Sequence, residues 1–335
     1  MEVISMAHGD GGEQAHRLID EIFVQAFGHA KEATFDAAQV PVSAEIAITT
    51  DSFVIQPLFF PGGNIGKLAV AGTVNDLAVS GAIPQYLTAA FILEEGFPIA
   101  DLKKIVQGMA EEAHHAGVRI VAGDTKVVAR GQADGCFINT TGIGIYPQGN
   151  PLTLAEMTAG DKVIISGTLG DHGVAILSAR GDLGFTSEVV SDCATLNGML
   201  SQVLEEAPGA VRIMRDPTRG GLATTLVEIA EDHGATITIE ERKIPVHPAV
   251  AGACDLLGYD PLYLANEGKV LLVVKAEQVE QVMEVLKQHP EGKNATLIGE
   301  VNETGVENGR LLLRTPLGST RRLERLLGMH LPRIC

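Results

Sequence analysis

The sequence is short of positive charge: 25 Lys and Arg stand against 42 Asp and Glu, a formal net charge of -17 over 335 residues. Such a chain repels a phosphate backbone, so nucleic acid is not an expected partner. Cysteine is scarce too, and Cys136, Cys193, Cys254 and Cys335 form no C-x-x-C pair. That argues against a zinc site, and three of the four read as small apolar residues, Cys335 differing by its position. No apolar run is long enough to cross a bilayer, and Met1 to Gly12 lacks a basic segment followed by an apolar core. A cytoplasmic protein with no membrane partner is expected. There is no short repeat, which argues against a solenoid. What remains is 45% hydrophobic and 20% charged, a globular composition on a chain long enough for two cores.

Two nucleotide signatures are also missing. Gly62-Gly63-Asn64-Ile65-Gly66-Lys67-Leu68 approaches a P-loop, but Pro61 stands where that motif needs glycine and Leu68 where it needs a Mg²⁺-binding hydroxyl. This argues against a Walker-type ATPase and leaves Lys67 as either a phosphate contact or a solvated lysine. Gly167-Thr168-Leu169-Gly170-Asp171-His172-Gly173 lacks the G-x-G-x-x-G spacing. Its amides can cradle an anion, with His172 nearby, or make a plain tight turn.

Helical and strand periodicities alternate throughout. The spacing predicts helices over 13–27, 65–79, 99–115, from about 173, over 220–233 and over 279–286. Strands are predicted over 45–50, 86–93, 118–122, 137–145, 162–166, 236–240 and 270–274. The break Tyr146-Pro147-Gln148-Gly149-Asn150-Pro151 divides the chain into 1–150 and 151–320, and 321–335 reads as a mobile tail.

Four aspartates recur at the end of an apolar strand or at a helix start, beside small residues: Asp51, Asp76, Asp124 and Asp216. Each alone reads as a cap. Four together point to Mg²⁺, which takes oxygen ligands from separate segments. Glu267, in Asn266-Glu267-Gly268-Lys269, is a turn residue or a general base.

Taken in order, His8-Gly9-Asp10-Gly11-Gly12, Thr50-Asp51-Ser52-Phe53, Pro61 to Lys67, Asn75-Asp76 through Ser80-Gly81-Ala82, Gly123 to Lys126, Asp216 to Gly221 and Pro332-Arg333-Ile334-Cys335 resemble the HypE family of ATP-using hydrogenase maturation factors. The resemblance covers nearly the whole chain. It implies a PurM-like two-domain α/β fold, with an N-terminal domain that pairs in a barrel-like homodimer core and a C-terminal α/β domain. It also implies ATP and Mg²⁺ as cofactors. Gly9, Gly11, Gly12, Asp51, Lys67, Asn75, Asp76 and Asp124 would serve the nucleotide, and Asp51, Asp76, Asp124 and Asp216 the metal. Asp10 departs from the small residue the family pattern leads one to expect there. A HypF-type carbamoyltransferase would load Cys335. Dehydration to S-cyanocysteine, with Glu267 and Lys126 as catalytic residues, would prepare cyanide for a HypC–HypD acceptor. Two rivals are a selenophosphate synthetase or small-molecule kinase of the same superfamily, and a non-catalytic ATP-binding scaffold. Selenophosphate synthetases place a reactive Cys or selenocysteine near the N-terminus, whereas no Cys precedes Cys136.

Overall fold

The computed structural model describes residues 3–5, 8, 17–28, 45–146, 152, 156–181, 184 and 187–326. Gly9, Gly11, Gly12, Cys335, most of the proposed domain break and the tail beyond residue 326 lie outside the described residues.

The first half contains strands β1 (Glu45–Phe53), β2 (Phe59–Phe60), β3 (Gly63–Asn64), β4 (Ile83–Glu94), β5 (Arg119–Val128) and β6 (Cys136–Tyr146), with helices α1 (Ile65–Val79) and α2 (Ile99–Ala116). Four strands form a sheet in the order β1-β6-β4-β5, parallel only between β4 and β5. In β6 every second residue is buried, so one face of the sheet packs on the helices. The other face carries Ile46, Ile48, Ile83 and Ile92, all substantially exposed.

Helix α2 is amphipathic and stops at Gly117, which adopts the left-handed conformation (φ +70°) that glycine takes without a Cβ penalty. Helix α1 is different, because only Lys67 and Asp76 of its 15 residues escape burial. A helix apolar on every side must be enclosed on every side. Accordingly, Leu68 and Val70 pack into the core of the first half while Ala78 and Val79 pack into that of the second.

The second half holds β7 (Lys162–Ile165), α3 (Asp171–Arg180), α4 (Asn197–Glu206), β8 (Val211–Arg215), α5 (Gly221–Asp232), β9 (Ala235–Glu240), α6 (Pro248–Leu257), β10 (Leu271–Val274), α7 (Val279–Lys287), β11 (Thr296–Thr304), β12 (Arg310–Arg314) and β13 (Thr320–Leu323). The sheet order is β13-β12-β9-β11-β7-β10-β8, and only β9 and β12 run parallel. Leu271 and Val273 join the core on one face, Leu272 and Val274 that on the other. Coverage on both faces explains why β10 reads Leu-Leu-Val-Val rather than alternating.

Two expectations are corrected. Asp124 was placed at a strand end, yet β5 continues through it to Val128 because the run pairs with β4 along its length. Residues 321–323, assigned to the tail, belong to edge strand β13, where Leu323 is buried. The periodicities did not mark α4, α6, β8, β11 or β12. In β11 register shifts between Leu297 and Gly299 and between Val301 and Glu303 break the two-residue repeat on which strand recognition rests.

Asn64 is the N-cap of α1, its Oδ1 accepting from Gly66 N (2.8 Å) and Lys67 N (3.1 Å). Asn64→Ala is expected to lower stability by about 1 kcal/mol in urea unfolding. An unchanged midpoint would mean the cap adds nothing.

Candidate functional site

Asp51, Asp76, Asp216 and Glu267 come from four separate segments and meet where the two halves face each other. Asp51 lies in β1 on the helix side of the sheet, opposite Thr140, and its carboxyl is close to that of Asp76 on α1. Asp76 also accepts from Thr49 Oγ1 at 2.8 Å. A carboxylate in the last turn of a helix opposes the helix dipole, so its position is not explained by helix stability. Asp216 follows β8 and enters the loop Pro217-Thr218-Arg219-Gly220-Gly221 ahead of α5. That loop requires glycine. Gly220 and Gly221 both have positive φ, and a Cβ on Gly221 would stand 2.6 Å from the carbonyls of Leu262 and Leu264.

Asp76 and Asp216 share the wall of a cavity of about 500 Å³ with Thr49, Thr218, Arg219 and Glu228. Burial, then the charge of Asp76, raises the Asp51 carboxyl from 3.8 to about 6. Burial and then Asp76 likewise raise Asp216 to about 6. Glu267 is buried, and desolvation followed by Asp216, Asp192 and Asp51 pushes it well above the usual carboxylate range. Arg219 opposes the rise at both Asp51 and Glu267. Arg219 was not singled out from the sequence; the signal was present in Asp-Pro-Thr-Arg-Gly-Gly, where an arginine precedes two strained glycines.

The cluster therefore has too much negative charge for its surroundings, a condition a divalent cation or a cation-bearing phosphate relieves. Among the described residues no three His, Cys, Asp or Glu side chains form a ready-made ion cage. That suits Mg²⁺, which is commonly held by one or two carboxylates together with substrate phosphates and water.

The other sequence candidates lie elsewhere. Asp124 and Lys126 project from β5 on the sheet face opposite α1 and α2, joined to each other at 3.1 Å. The chain alone does not bring them to the Asp51, Asp76 and Asp216 cluster. Asn75 is buried, donating to Ala194 O (3.0 Å) and accepting from Leu196 N (2.8 Å). Lys67 Nζ donates to Gly62 O at 3.2 Å, and the amides ahead of it are occupied by Asn64. In the Gly167–Gly173 turn, Leu169 N and Gly170 N bond to Pro245 O and Asn266 Oδ1, so these amides are spent internally. His172 is buried against Ser191 Oγ at 2.8 Å. Cys136, Cys193 and Cys254 are buried. Burial raises the thiols of Cys136 to about 12 and Cys254 to about 11, and raises Cys193 strongly, so none is a ready nucleophile.

Two sheets bridged by a helix buried but for Lys67 and Asp76, with carboxylates gathered at their junction, define a two-domain protein of the AIR synthase related class. The N-terminal domain model of that class matches residues 34–146, and the C-terminal domain model matches residues 158–311. The chain is 50% identical over 337 residues to a carbamoyl dehydratase HypE of Cupriavidus necator, covering 99% of this chain and 95% of that protein. A crystal structure of a hydrogenase maturation protein HypE in complex with ATP superposes with a TM-score of 0.93 at 45% identity, covering 99% of each chain. A HypE–HypF complex gives a TM-score of 0.80 at 49% identity over 92% of this chain and 99% of that one. The chain belongs to the HypE family.

Because Asp51 and Asp216 titrate near 6 when folded and near 3.8 when unfolded, the folded chain holds protons that the unfolded chain has released between those values. The stability linked to these groups is intact below about pH 4 and declines as pH rises through about 6. Asp51→Asn is expected to stabilise the ligand-free protein at about pH 8 by on the order of 1 kcal/mol after solvent screening, raising its melting temperature, and to leave it unchanged at about pH 4. Calorimetry at both pH values checks this; a lower melting temperature at the higher pH would contradict it.

Proposed function

We propose that this chain is an ATP-dependent carbamoyl dehydratase of nickel–iron hydrogenase maturation, converting an S-carbamoyl group on Cys335 into S-cyanocysteine, the source of the cyanide ligand of the active-site iron. The observation that carries the reading is where the C-terminal segment leaves the body. Leu326 N donates to Thr224 Oγ1 at 3.2 Å, and the next residue, Thr225, lines the cavity that holds Asp76 and Asp216. Residues 327–335 can extend at most about 30 Å, enough for Cys335 to enter that cavity.

The chemistry follows from what an amide needs to become a nitrile. The carbamoyl oxygen is a poor leaving group, so it first attacks the γ-phosphate of ATP, forming an O–P bond as ADP departs. One proton leaves the nitrogen with this step. The second is removed as the C–O bond breaks, phosphate leaves and the C≡N bond closes. Glu267 is the residue placed to take a proton, since it sits on a rigid turn facing the cluster. Arg219 is placed to meet phosphate oxygens. Mg²⁺ held by one or two of Asp51, Asp76 and Asp216 would stabilise charge on the transferring phosphoryl group and offset part of the rise that burial and the negative neighbours impose on the Glu267 carboxyl. The proposed Gly9, Gly11 and Gly12 contacts and Lys67 belong to the nucleotide side.

Asp124 and Lys126 enter through pairing of two chains. They share a sheet face with exposed Ile46, Ile48 and Ile92. An apolar face of this kind calls for a partner, and a second copy in a homodimer would cover it. Any catalytic part taken by Lys126 then depends on that pairing. The HypF-type carbamoyltransferase is the expected donor, in keeping with the HypE–HypF complex this chain resembles, and a HypC–HypD pair the expected acceptor, all in the cytoplasm. No described helix is long and apolar enough to cross a membrane. A selenophosphate synthetase or kinase reading is not favoured, given the full-length kinship to carbamoyl dehydratases.

Intact-protein mass spectrometry after incubation with ATP, carbamoyl phosphate and the carbamoyltransferase is expected to register a carbamoyl adduct that then loses one water, mapped to Cys335. With Cys335→Ser neither species should form. An adduct on another residue would refute the assignment.

A further inference from the structure

Asp192 is a fifth carboxylate in this region, and its bonding differs from that of the others. Its side chain is only 3% exposed and pairs with Lys269 Nζ at 3.1 Å. Its two oxygens accept the backbone N–H groups of Glu267 and Gly268, each at 3.2 Å. The bonding is reciprocal, because Ala194 N donates back to Glu267 O at 3.3 Å. The peptide on each side of the Glu267 Cα is therefore held by residues 192–194. The approach is close enough to demand glycine next door: a Cβ on Gly268 would stand 1.8 Å from Asp192 O.

The same segment is fastened to the N-terminal half. Ser191 N donates to Pro61 O at 2.8 Å, Thr195 N to Glu112 Oε1 at 2.9 Å and Leu196 N to Asn75 Oδ1 at 2.8 Å. Asn75 precedes Asp76 on α1. One short run of chain thus joins the helix bearing Asp76 to the turn bearing Glu267. A buried ion pair adds little net stability over apolar side chains of similar volume. What Asp192 and Lys269 hold in place accounts for them better.

We propose that residues 191–196 are a spacer that fixes Glu267 relative to Asp51 and Asp76, and that Asp192 is its positioning residue for the dehydration step. The inference rests on the assignment of Glu267 as the base. Asp192 is buried with its oxygens on Lys269 and on the amides of Glu267 and Gly268, so it sets the backbone from which Glu267 projects. Displacing a base by about an ångström costs on the order of 10²-fold in rate. The cost is expected to fall on turnover, because Asp192 bonds to Lys269 and the Glu267 turn, whereas the bond to Asn75 on α1 comes from Leu196.

The test uses the full-length protein carbamoylated on Cys335, with single-turnover dehydration and ATP binding measured separately. Asp192→Asn keeps the volume and removes the charge. Gly268→Ala keeps every charge and pushes the turn away from Asp192, so it carries the test if the first variant folds poorly. Both are expected to lose on the order of 10²-fold in kcat while the KM for ATP stays within about threefold. In a Glu267→Gln background, Asp192→Asn should cause no further loss, since two residues acting through one group do not add. Wild-type turnover in both variants, with Glu267→Gln inactive, overturns the positioning role alone. Equal damage to ATP binding and turnover also overturns it, as the mark of a merely structural pair. Wild-type turnover in Glu267→Gln overturns the base assignment and the proposal with it.

Discussion

Everything at the junction depends on helix α1 being enclosed from both sides. Like charges at contact distance repel by several kcal/mol in a protein-like medium, so carboxylates stay together only if their backbones cannot retreat. Asp51 is fixed by a nine-residue strand pairing with β6. Asp76 is fixed because the helix that bears it touches both cores. Asp216 is fixed by a loop whose Gly221 folds against the carbonyls of Leu262 and Leu264. Remove any one support and the cheapest response is for a carboxylate to swing into water, which relieves the repulsion and dismantles the site.

The ligand-free protein therefore carries its own electrostatic strain, at a place where, among the described residues, Arg219 opposes it only in part. Elsewhere the chain pairs such charges. Asp161 meets Arg212 at 3.2 Å, and burial that would raise Asp192 is outweighed by Lys269 and His172, so Asp192 is lowered instead. Paired Asp192 and strained Asp51, Asp76 and Asp216 occupy the same region, and the contrast separates scaffold from site more cleanly than residue type does. Arg219, partly exposed and opposite in sign, completes the polarity that a triphosphate needs.

How much of this could be read in advance differs by element. The extent of α1, 65–79, was legible to the residue, because its periodicity and the glycine that follows agree there. Asp51, Asp76 and Asp216 stood out through their small neighbours. Asp124 stood out for the same reason and yet lies on the far side of the sheet, since a one-residue step along a strand reverses the face and Gly123-Asp124-Thr125 gives no hint of where β5 ends. Arg219 left one signal, an arginine ahead of two glycines. Asp192 was not legible at all, since it sits in an irregular segment with no periodicity and its meaning comes from backbone groups 75 residues away. Short motifs reveal chemistry that is local in sequence, whereas positioning is a property of contacts between distant segments.

The route taken by the C-terminal segment joins these points to the chemistry. Edge strand β13 delivers residue 324 beside Tyr263, whose hydroxyl donates to Glu324 O at 2.9 Å. Arg325 then grips Glu231 on α5 at 2.6 and 2.8 Å. Leu326 N bonds to Thr224 Oγ1 at 3.2 Å, next to Thr225 of the cavity wall, so the chain is tied down beside the cavity that Asp76 and Asp216 line. On the reading proposed above, cavity and anchor would be two parts of one device, the first supplying the electrostatics for dehydration and the second fixing where the reacting segment begins.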